Sequence, residues 1–360
     1  MIPARGLEGL CASILESAGT SPAQSSIVAA SLVRAEARGQ PSHGVSRLVT
    51  YIKRIQAGLI DATSVPTVVS EAGAVAVLDG NNGFGHAVGM RAMELCVQKA
   101  QTYGIGAVAV RNSTHFGIAS PFAEAAAAQG CIGLATTNGP PWMVPTGSKT
   151  RVLGTNPIAV AVPGSPGSSF TLDMATSVAA LGKIIALGEA GTPIPAGWAL
   201  DEEGQPTTEA TVAAQGSLLP VGGPKGFGLA LVFEVLSAVL SGAAVGREAG
   251  SMYRTWDRPE RLGHFFLALS IAAFGPEEVF DSRLTTLLGD LRKAVPIEPG
   301  SRIYAPGEIE AERERGSART GILLTHSLRT ALEQAAEAAN FDLPDDLASP
   351  VDALNTGGST

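Results

Sequence analysis

Residues 74–117 read AVAVLDGNNGFGHAVGMRAMELCVQKAQTYGIGAVAVRNSTHFG, and this stretch decides the fold. Its two ends belong to strand-like apolar runs, residues 66–79 and 106–111, and residues 85–104 between them repeat apolar side chains with the period of a helix. A strand, a helix and a second strand in this order are typical of a β-α-β unit. The sequence therefore predicts an α/β core.

The glycines inside this stretch come close to a dinucleotide-binding fingerprint but do not match it. Gly83, Gly85 and Gly89 give the spacing GxGxxxG, whereas the Rossmann fingerprint is GxGxxG. Residues 79–82 separate the glycines from the first strand, and the second strand ends at Arg111 instead of the acidic residue that binds ribose. We therefore interpret these glycines as a loop that opens a helix.

Helices are predicted on the N-terminal side of this core. Ser21 and Pro22 form the cap and first position of a helix, and Gly39 and Gly58 mark helix ends. The first 60 residues are therefore expected to be helical.

On the C-terminal side the sequence predicts further strands, further helices and a loose end. The predicted strands are residues 131–136, 158–162 and 170–172, and the predicted helices are residues 176–186, 226–240 and 327–339. From Asp342 onward the chain is rich in Pro, Asp, Ser and Gly and is expected to fray.

Composition points to a globular protein that acts on small molecules. The chain has 360 residues, 45% hydrophobic and 16% charged, which suffices for a large core and more than one domain. A formal net charge of -8 argues against nucleic-acid binding, which requires clustered Lys and Arg. The three cysteines have no CxxC spacing, so neither disulfides nor a zinc site is expected.

No segment is predicted to cross a membrane. The N-terminus carries Arg5 and Glu8 and lacks the apolar core of a signal peptide. The most apolar helix candidate, residues 228–245, has Glu234 at its centre and is interpreted as a buried core helix. A cytoplasmic location is therefore expected.

His115 is the candidate acid or base. It follows an apolar strand and precedes a helix that Ser120 and Pro121 start, with Glu124 in the first turn. A loop near a helix N-terminus can hold an imidazole for proton transfer with a titration near neutral pH. A hydrogen-bonded structural histidine explains the same string, so both interpretations remain open.

A second candidate set begins at the string Gln40-Pro41-Ser42-His43-Gly44. If residues 43–57 are helical, His43, Arg47 and Tyr51 share one stripe, which would offer a guanidinium fork for a carboxylate beside two polar donors. A solvated polar face is the alternative. The remaining histidines are interpreted as structural, namely His86, His264 and His326.

Two further residues are candidates for contacts with an anionic ligand. Lys225 opens an apolar helix within the string GGPKGFG, where glycines and a helix N-terminus favour phosphate, although an ordinary helix start explains it as well. Asp173 follows a predicted buried strand and is either a ligand contact or the N-cap of the next helix.

Taken in order, these strings resemble the malate/L-lactate dehydrogenase family of NAD(P)-dependent oxidoreductases, which do not use a Rossmann fold. The matches extend over nearly the whole chain: Arg38, residues 42–44, Arg47, residues 112–117, 154–157, 172–177, 197–199, 223–226 and 306–308. The resemblance implies a homodimer with a non-Rossmann cofactor-binding α/β domain that has its own sheet topology, and a helical domain formed by both chain ends.

The resemblance also implies domain bounds and site residues. The N-terminal helical part spans residues 1–75, the cofactor-binding domain 76–299, the returning C-terminal segment 300–341 and the tail 342–360. The implied acid/base is His115, with His43 and Arg47 beside it, and the implied substrate contacts are Ser42, Arg47 and Tyr51. The implied cofactor contacts are Gly139, Asp173, Met174, Ala175, Lys225, Gly307 and Glu308.

The implied activity is hydride transfer between NAD or NADP, with NAD favoured, and C2 of a small 2-hydroxy or 2-oxo acid such as malate, lactate or ureidoglycolate. No metal is implied. Pro121 and residues 140–142 depart from the common family pattern, which leaves the substrate open. Reduction of a cyclic imino acid and a non-catalytic dinucleotide-binding role are the alternatives.

Overall fold

A computed structural model describes residues 1–344 and residue 347 as helices packed around one large mixed sheet. The helices are α1 Ala4–Ser17, α2 Pro22–Ala37, α3 Leu48–Gln56, α4 Gly85–Tyr103, α5 Ser120–Ala127, α6 Leu181–Glu189, α7 Ala210–Gln215, α8 Pro224–Glu234, α9 Glu277–Arg292, α10 Glu308–Thr320 and α11 His326–Ala339. The strands are β1 Thr67–Ala72, β2 Val75–Asp79, β3 Ile105–Ser113, β4 Cys131–Thr137, β5 Ile158–Val162, β6 Phe170–Met174, β7 Ala199–Leu200, β8 Pro206–Thr207, β9 Ser217–Leu218 and β10 Leu262–Ser270. Almost all of the predicted tail from Asp342 lies outside the described residues.

The large sheet has the strand order β1-β2-β3-β10-β4-β5-β6. Strands β2 and β3 are parallel, as the predicted β-α-β unit requires, and α4 connects them. The other strand pairs of this sheet in residues 67–270 are antiparallel. This topology confirms the predicted α/β fold class with a sheet unlike that of a Rossmann domain.

The central strand β10 and the start of α6 differ from the sequence prediction. Strand β10 was not predicted, and it fills the gap between β3 and β4. The helix expected from Thr176 begins at Leu181, because Thr176 donates its backbone N–H to Thr155 and Ser177 pairs with Pro220. The segment before α6 is therefore tied to two neighbouring loops, which leaves it no helical bonds.

Both chain ends build a second core beside the sheet. Leu7, Leu32, Leu48 and Leu332 are all buried in one cluster, so helices α1, α2, α3 and α11 share it. The predicted domain bounds remain predictions, and the one at residue 75 would divide the hairpin of β1 and β2.

Helix α8 is only partly a buried core helix, which corrects the sequence interpretation. Glu234 is 2% exposed and accepts hydrogen bonds from Asn156, Asn138 and the backbone of Gly246, which compensates for burying a carboxylate. The opposite face of α8 and the helical turn Val235–Val239 that continues it, however, expose about half of each of several apolar side chains: Leu229, Leu231, Val232, Val235 and Val239. Among the described residues, no helix is long and apolar enough to span a bilayer.

Candidate active site

His115 lies on the loop between β3 and α5, as predicted, and its ring is held by a hydrogen bond at Nδ1. Its Nδ1 is 2.8 Å from the hydroxyl of Tyr51, and its backbone N–H donates to the Glu260 carboxylate at 3.0 Å. Its Nε2 has no hydrogen-bond partner among residues 1–344. The ring is therefore oriented by Tyr51, and Nε2 is left for a ligand.

Glycines at the start of α4 hold the His115 loop close to the helix. Thr114 Oγ1 accepts the backbone N–H of Gly85 at 3.1 Å and donates to the carbonyl of Gly83 at 3.0 Å. A Cβ on Gly85 would lie 2.2 Å from the Thr114 carbonyl oxygen and 2.7 Å from that of His115. The string once compared with a dinucleotide fingerprint therefore serves close backbone packing.

Ser42, His43 and Arg47 lie on two short 3-10 turns, Pro41–His43 and Val45–Arg47, and not on one helix. The α-helix starts only at Leu48, which corrects the predicted helix over residues 43–57. The His43 ring nevertheless stacks on that of His115, with centroids 5.8 Å apart, and its Nδ1 is 3.1 Å from the Ser42 hydroxyl. Two 3-10 turns, instead of the one predicted helix, thus bring the predicted residues together.

Arg47 supplies positive charge beside the His115 ring. Its Nε donates to the Ser42 carbonyl at 2.6 Å, and its guanidinium lies 5.0 Å from the centre of the half-exposed Tyr253 ring. Among the described residues it has no ion pair with a carboxylate. The terminal N–H groups are therefore able to take a ligand carboxylate in a bidentate pair.

Four histidines, His43, His86, His115 and His264, form what we call the histidine group. Burial lowers the pKa of each imidazole, to about 4 for His43, to about 3 for His86 and His264, and well below 6.5 for His115. The Arg47 guanidinium or another histidine of the group lies near each imidazole and lowers its pKa further. The group is neutral at pH 7, and the titration of His115 that the sequence predicts near neutrality lies at lower pH.

Two buried carboxyl groups support the same loops. Glu260 accepts the His115 backbone N–H, and burial raises its pKa to about 6 although Arg54 lowers it. Glu36 accepts the backbone N–H of Val45 at 2.9 Å, and burial raises its pKa to about 7. Both are acceptors for backbone groups that position the histidines.

A second set of predicted residues lines a cavity of about 170 Å³ at the start of α5. Asp173 Oδ2 accepts the backbone N–H of Ser120 at 2.8 Å, and burial raises the pKa of this carboxyl. Gly307 lies opposite with φ +82°, and a Cβ there would be 2.4 Å from the Thr171 carbonyl oxygen. Gln40 Oε1 is buried without a hydrogen-bond partner among the described residues.

These acceptors suit the hydroxyl groups of a ribose. An orphaned amide oxygen and a carboxylate, both beside a cavity, need O–H or N–H donors, and a dinucleotide carries several. The neighbouring Arg38 is already paired with Glu124 and Glu314. The residues present therefore fit a nicotinamide dinucleotide.

The other predicted cofactor residues lie around the ends of β4 and β6. Met174 ends β6 and is followed by Ala175, Gly139 follows β4 with open space where a Cβ would be, and Lys225 is exposed at the start of α8. The hydrogen bond from Val221 to Thr176 ties the Lys225 loop to this region. Glu308, by contrast, is paired with Arg292 and Arg302 and accepts the backbone N–H of Ala305.

Sequence reasoning missed three residues of this site. His86 was interpreted as structural, and neither Glu36 nor Glu260 was considered. Their local sequence has no motif, because their roles depend on contacts with residues far away in the chain. Among the described residues, no group of three or more His, Cys, Asp or Glu side chains could hold a metal ion.

Comparison with known proteins identifies the family. The family model described as malate/L-lactate dehydrogenase matches residues 2–333. The chain belongs to this family. It is 39% identical over 332 residues to L-sulfolactate dehydrogenase of Methanocaldococcus jannaschii, covering 92% of this chain and 95% of the relative. It is 40% identical over 315 residues to malate dehydrogenase of Pyrococcus abyssi, covering 85% and 86%.

Solved structures of family members have the same fold. Malate dehydrogenase from Entamoeba histolytica matches with a TM-score of 0.90 at 30% identity, covering 95% of this chain and 99% of that one. Δ1-Piperideine-2-carboxylate reductase from Pseudomonas syringae matches with a TM-score of 0.84 at 28% identity, covering 94% and 99%. Family membership and fold are therefore established, whereas the named substrates differ between relatives.

Proposed function

We propose that this dehydrogenase-family chain transfers a hydride between a nicotinamide dinucleotide and C2 of a small 2-hydroxy or 2-oxo acid. The observation that carries the proposal is the pairing of two groups. His115 has its Nδ1 held by Tyr51 and its Nε2 left for a ligand. Arg47 lies on the turn after the one that stacks His43 on His115, and it has no carboxylate partner among the described residues. A 2-hydroxy acid presents a hydroxyl and a carboxylate on adjacent carbons, which matches this pair.

In the proposed mechanism Arg47 binds the substrate carboxylate and fixes the distance from C2 to His115. During oxidation His115 Nε2 takes the hydroxyl proton, and during reduction it returns that proton to the carbonyl oxygen. Because the ring is neutral at pH 7, its Nε2 is available as a base. The bound dinucleotide supplies the hydride acceptor or donor.

Asp173, Gln40 and Gly307 are the residues that would hold the dinucleotide, with Lys225 near its phosphates. The cavity beside them contains Glu310 as well as Asp173. Two carboxylates there suit ribose hydroxyls better than an added phosphate, so NAD is favoured over NADP. Met174, Ala175, Gly139 and Glu308 remain predicted contacts.

Reduction of a cyclic imino acid is a second candidate, because a structural match of comparable score is a piperideine-2-carboxylate reductase. Such a substrate also has a carboxylate next to the reacting carbon, and His115 would then protonate nitrogen. A non-catalytic dinucleotide-binding role is the third possibility.

The test is an absorbance assay at the reduced nicotinamide band, with NADH and NADPH each offered with oxaloacetate, pyruvate, 3-sulfopyruvate and Δ1-piperideine-2-carboxylate. The proposal predicts turnover with a 2-oxo acid and a higher kcat/KM for NADH. Turnover of the imine alone supports the second candidate. Dinucleotide binding without any turnover in the panel supports the third.

We also propose a homodimer, as the family resemblance implies. The exposed apolar face of α8 is of the kind that proteins bury in an interface, and a second copy of the chain provides a matching apolar face. Light scattering after gel filtration should give twice the chain mass of 36.6 kDa. Val235→Asp should shift the protein to monomer, whereas Ile297→Asp, at a fully exposed position, should not.

A further inference from the structure

The proposed function requires one particular tautomer of His115. To accept a substrate proton, Nε2 must be bare, so a neutral ring must carry its hydrogen on Nδ1. The Nδ1–H group then donates to the Tyr51 hydroxyl oxygen, 2.8 Å away. The same donation persists when His115 is protonated on both nitrogens. Throughout turnover, therefore, Tyr51 accepts from His115.

This arrangement leaves the hydroxyl hydrogen of Tyr51 in need of an acceptor. Tyr51 is 1% exposed, and burial raises the pKa of its phenol, so the group keeps its proton. Among the described residues, its one hydrogen bond is the contact with His115. A buried O–H without an acceptor is unfavourable, which would favour the wrong tautomer, with Tyr51 donating to Nδ1.

His86 lies beside this contact with its ring nitrogens unused. Its ring centre is 5.5 Å from that of Tyr51 and 6.4 Å from that of His115, and the hydroxyl lies between those two rings. The His86 side chain is 1% exposed, and both of its nitrogens are buried without a hydrogen-bond partner among the described residues. A neutral imidazole always has one bare nitrogen, which is an acceptor.

Tight packing keeps His86 in this place. A Cβ on Gly117, which has φ +78°, would lie 2.7 Å from His86 Nε2. Glycine at residue 117 therefore makes room for the imidazole next to the His115 loop. The competing acceptor is Glu260, whose Oε2 accepts the His115 backbone N–H, but among the described residues neither of its oxygens is hydrogen-bonded to the Tyr51 hydroxyl.

We propose that His86 is a positioning residue that accepts the hydroxyl hydrogen of Tyr51 and thereby fixes His115 in the tautomer with a bare Nε2. Neither His86 nitrogen is within hydrogen-bond distance of the Tyr51 hydroxyl in the structure, so a rotation of the His86 ring completes the chain from His115 through Tyr51 to His86. This inference rests on the proposed function, since it concerns the same histidine.

The test compares His86→Phe with His86→Asn and His86→Gln. In His86→Phe the Tyr51 hydroxyl can donate to His115 Nδ1 instead, and the unpartnered N–H of His86 is removed, so an apolar ring of similar size should leave the melting temperature unchanged or raise it. We expect kcat of His86→Phe to fall by about 10- to 100-fold in both directions, with KM and dinucleotide Kd unchanged. Of His86→Asn and His86→Gln, the variant that places its amide oxygen where the accepting nitrogen of His86 lies should recover most of the wild-type kcat.

The tautomer itself is measured by ¹⁵N NMR of histidine-labelled protein, with the His115 signals assigned from a His115→Gln spectrum. Wild type should show Nδ1 protonated, and His86→Phe should show the proton moved to Nε2. This readout does not require turnover, so it separates failure of the inference from failure of the proposed function. An unchanged tautomer in His86→Phe, or a change only in Glu260→Gln, overturns the inference.

A double-mutant cycle provides the second arm. Once Tyr51→Phe has removed the connecting hydroxyl, adding His86→Phe should cause no further loss of kcat. If the two losses multiply, His86 acts by packing alone and the inference is wrong.

Discussion

Gly85→Ala tests whether backbone packing at the start of α4 positions His115. The new Cβ would lie 2.2 Å from the Thr114 carbonyl oxygen, whereas such contacts need about 3.2 Å, so the loop must move by about 1 Å. A displacement of about 1 Å in a catalytic group can cost about 100-fold in rate, and overpacking costs about 1–3 kcal/mol of stability. We therefore expect kcat to fall by about 100-fold, measured by steady-state kinetics on the fastest substrate of the panel.

The matched control is Gly289→Ala, within α9, where a Cβ meets nothing within 4 Å. This change should raise stability by about 0.5–1 kcal/mol and leave kcat unchanged. If Gly85→Ala fails to fold, Thr114→Val removes both side-chain hydrogen bonds at the same contact without adding a Cβ to the helix. Wild-type kcat in a folded Gly85→Ala protein, or in Thr114→Val, would refute the reasoning.

Three further predictions follow from the site. Arg47→Lys should raise KM for the oxo acid by about 10-fold or more because a point charge cannot replace a bidentate fork, while dinucleotide Kd and the exposed control Arg283→Lys stay unchanged. His115→Ala should lower kcat by about 10²- to 10⁴-fold and abolish a pH limb below 6.5, whereas the exposed His326→Ala should do neither. Near pH 5.5 the histidine group takes up protons on unfolding, whereas the three carboxyls with raised pKa values, Glu36, Glu260 and Asp173, release fewer protons, so the net uptake is about one to two protons. Stability should therefore fall by about 1–3 kcal/mol per pH unit as pH decreases, and denaturant titrations that show rising stability would contradict this.

The sequence predicted the parts of the fold that local patterns specify. The β-α-β unit over residues 75–113 was found because its periods change from strand to helix and back, with Gly104 in the left-handed conformation ending α4. Strand β10 was missed because its apolar run LGHFFLALS has no alternation, and its pairing with β4 joins residues more than 100 positions apart. Register over such distances is decided by tertiary packing.

The same division applies to the candidate site. His115 and Arg47 were predicted as candidates because a loop between a strand and a helix, and a cation near a histidine, are local signals. His86 was read as structural because a histidine after Phe84-Gly85 has no recognisable pattern. Only the folded chain places its ring beside Tyr51, with α3 carrying one ring and α4 the other.

Charge explains why these buried rings can coexist. The histidine group is neutral at pH 7, whereas Arg47, which donates to the Ser42 carbonyl, brings a full positive charge to the turn of Ser42 and His43. A second cation there would be repelled, and each protonated ring would lower the pKa of the others further. Because the Arg47 guanidinium has no carboxylate partner among the described residues and lies next to neutral imidazoles, the site attracts a carboxylate without attracting protons to the base. In the proposed function, binding of the anion and proton transfer therefore belong to different residues, Arg47 and His115.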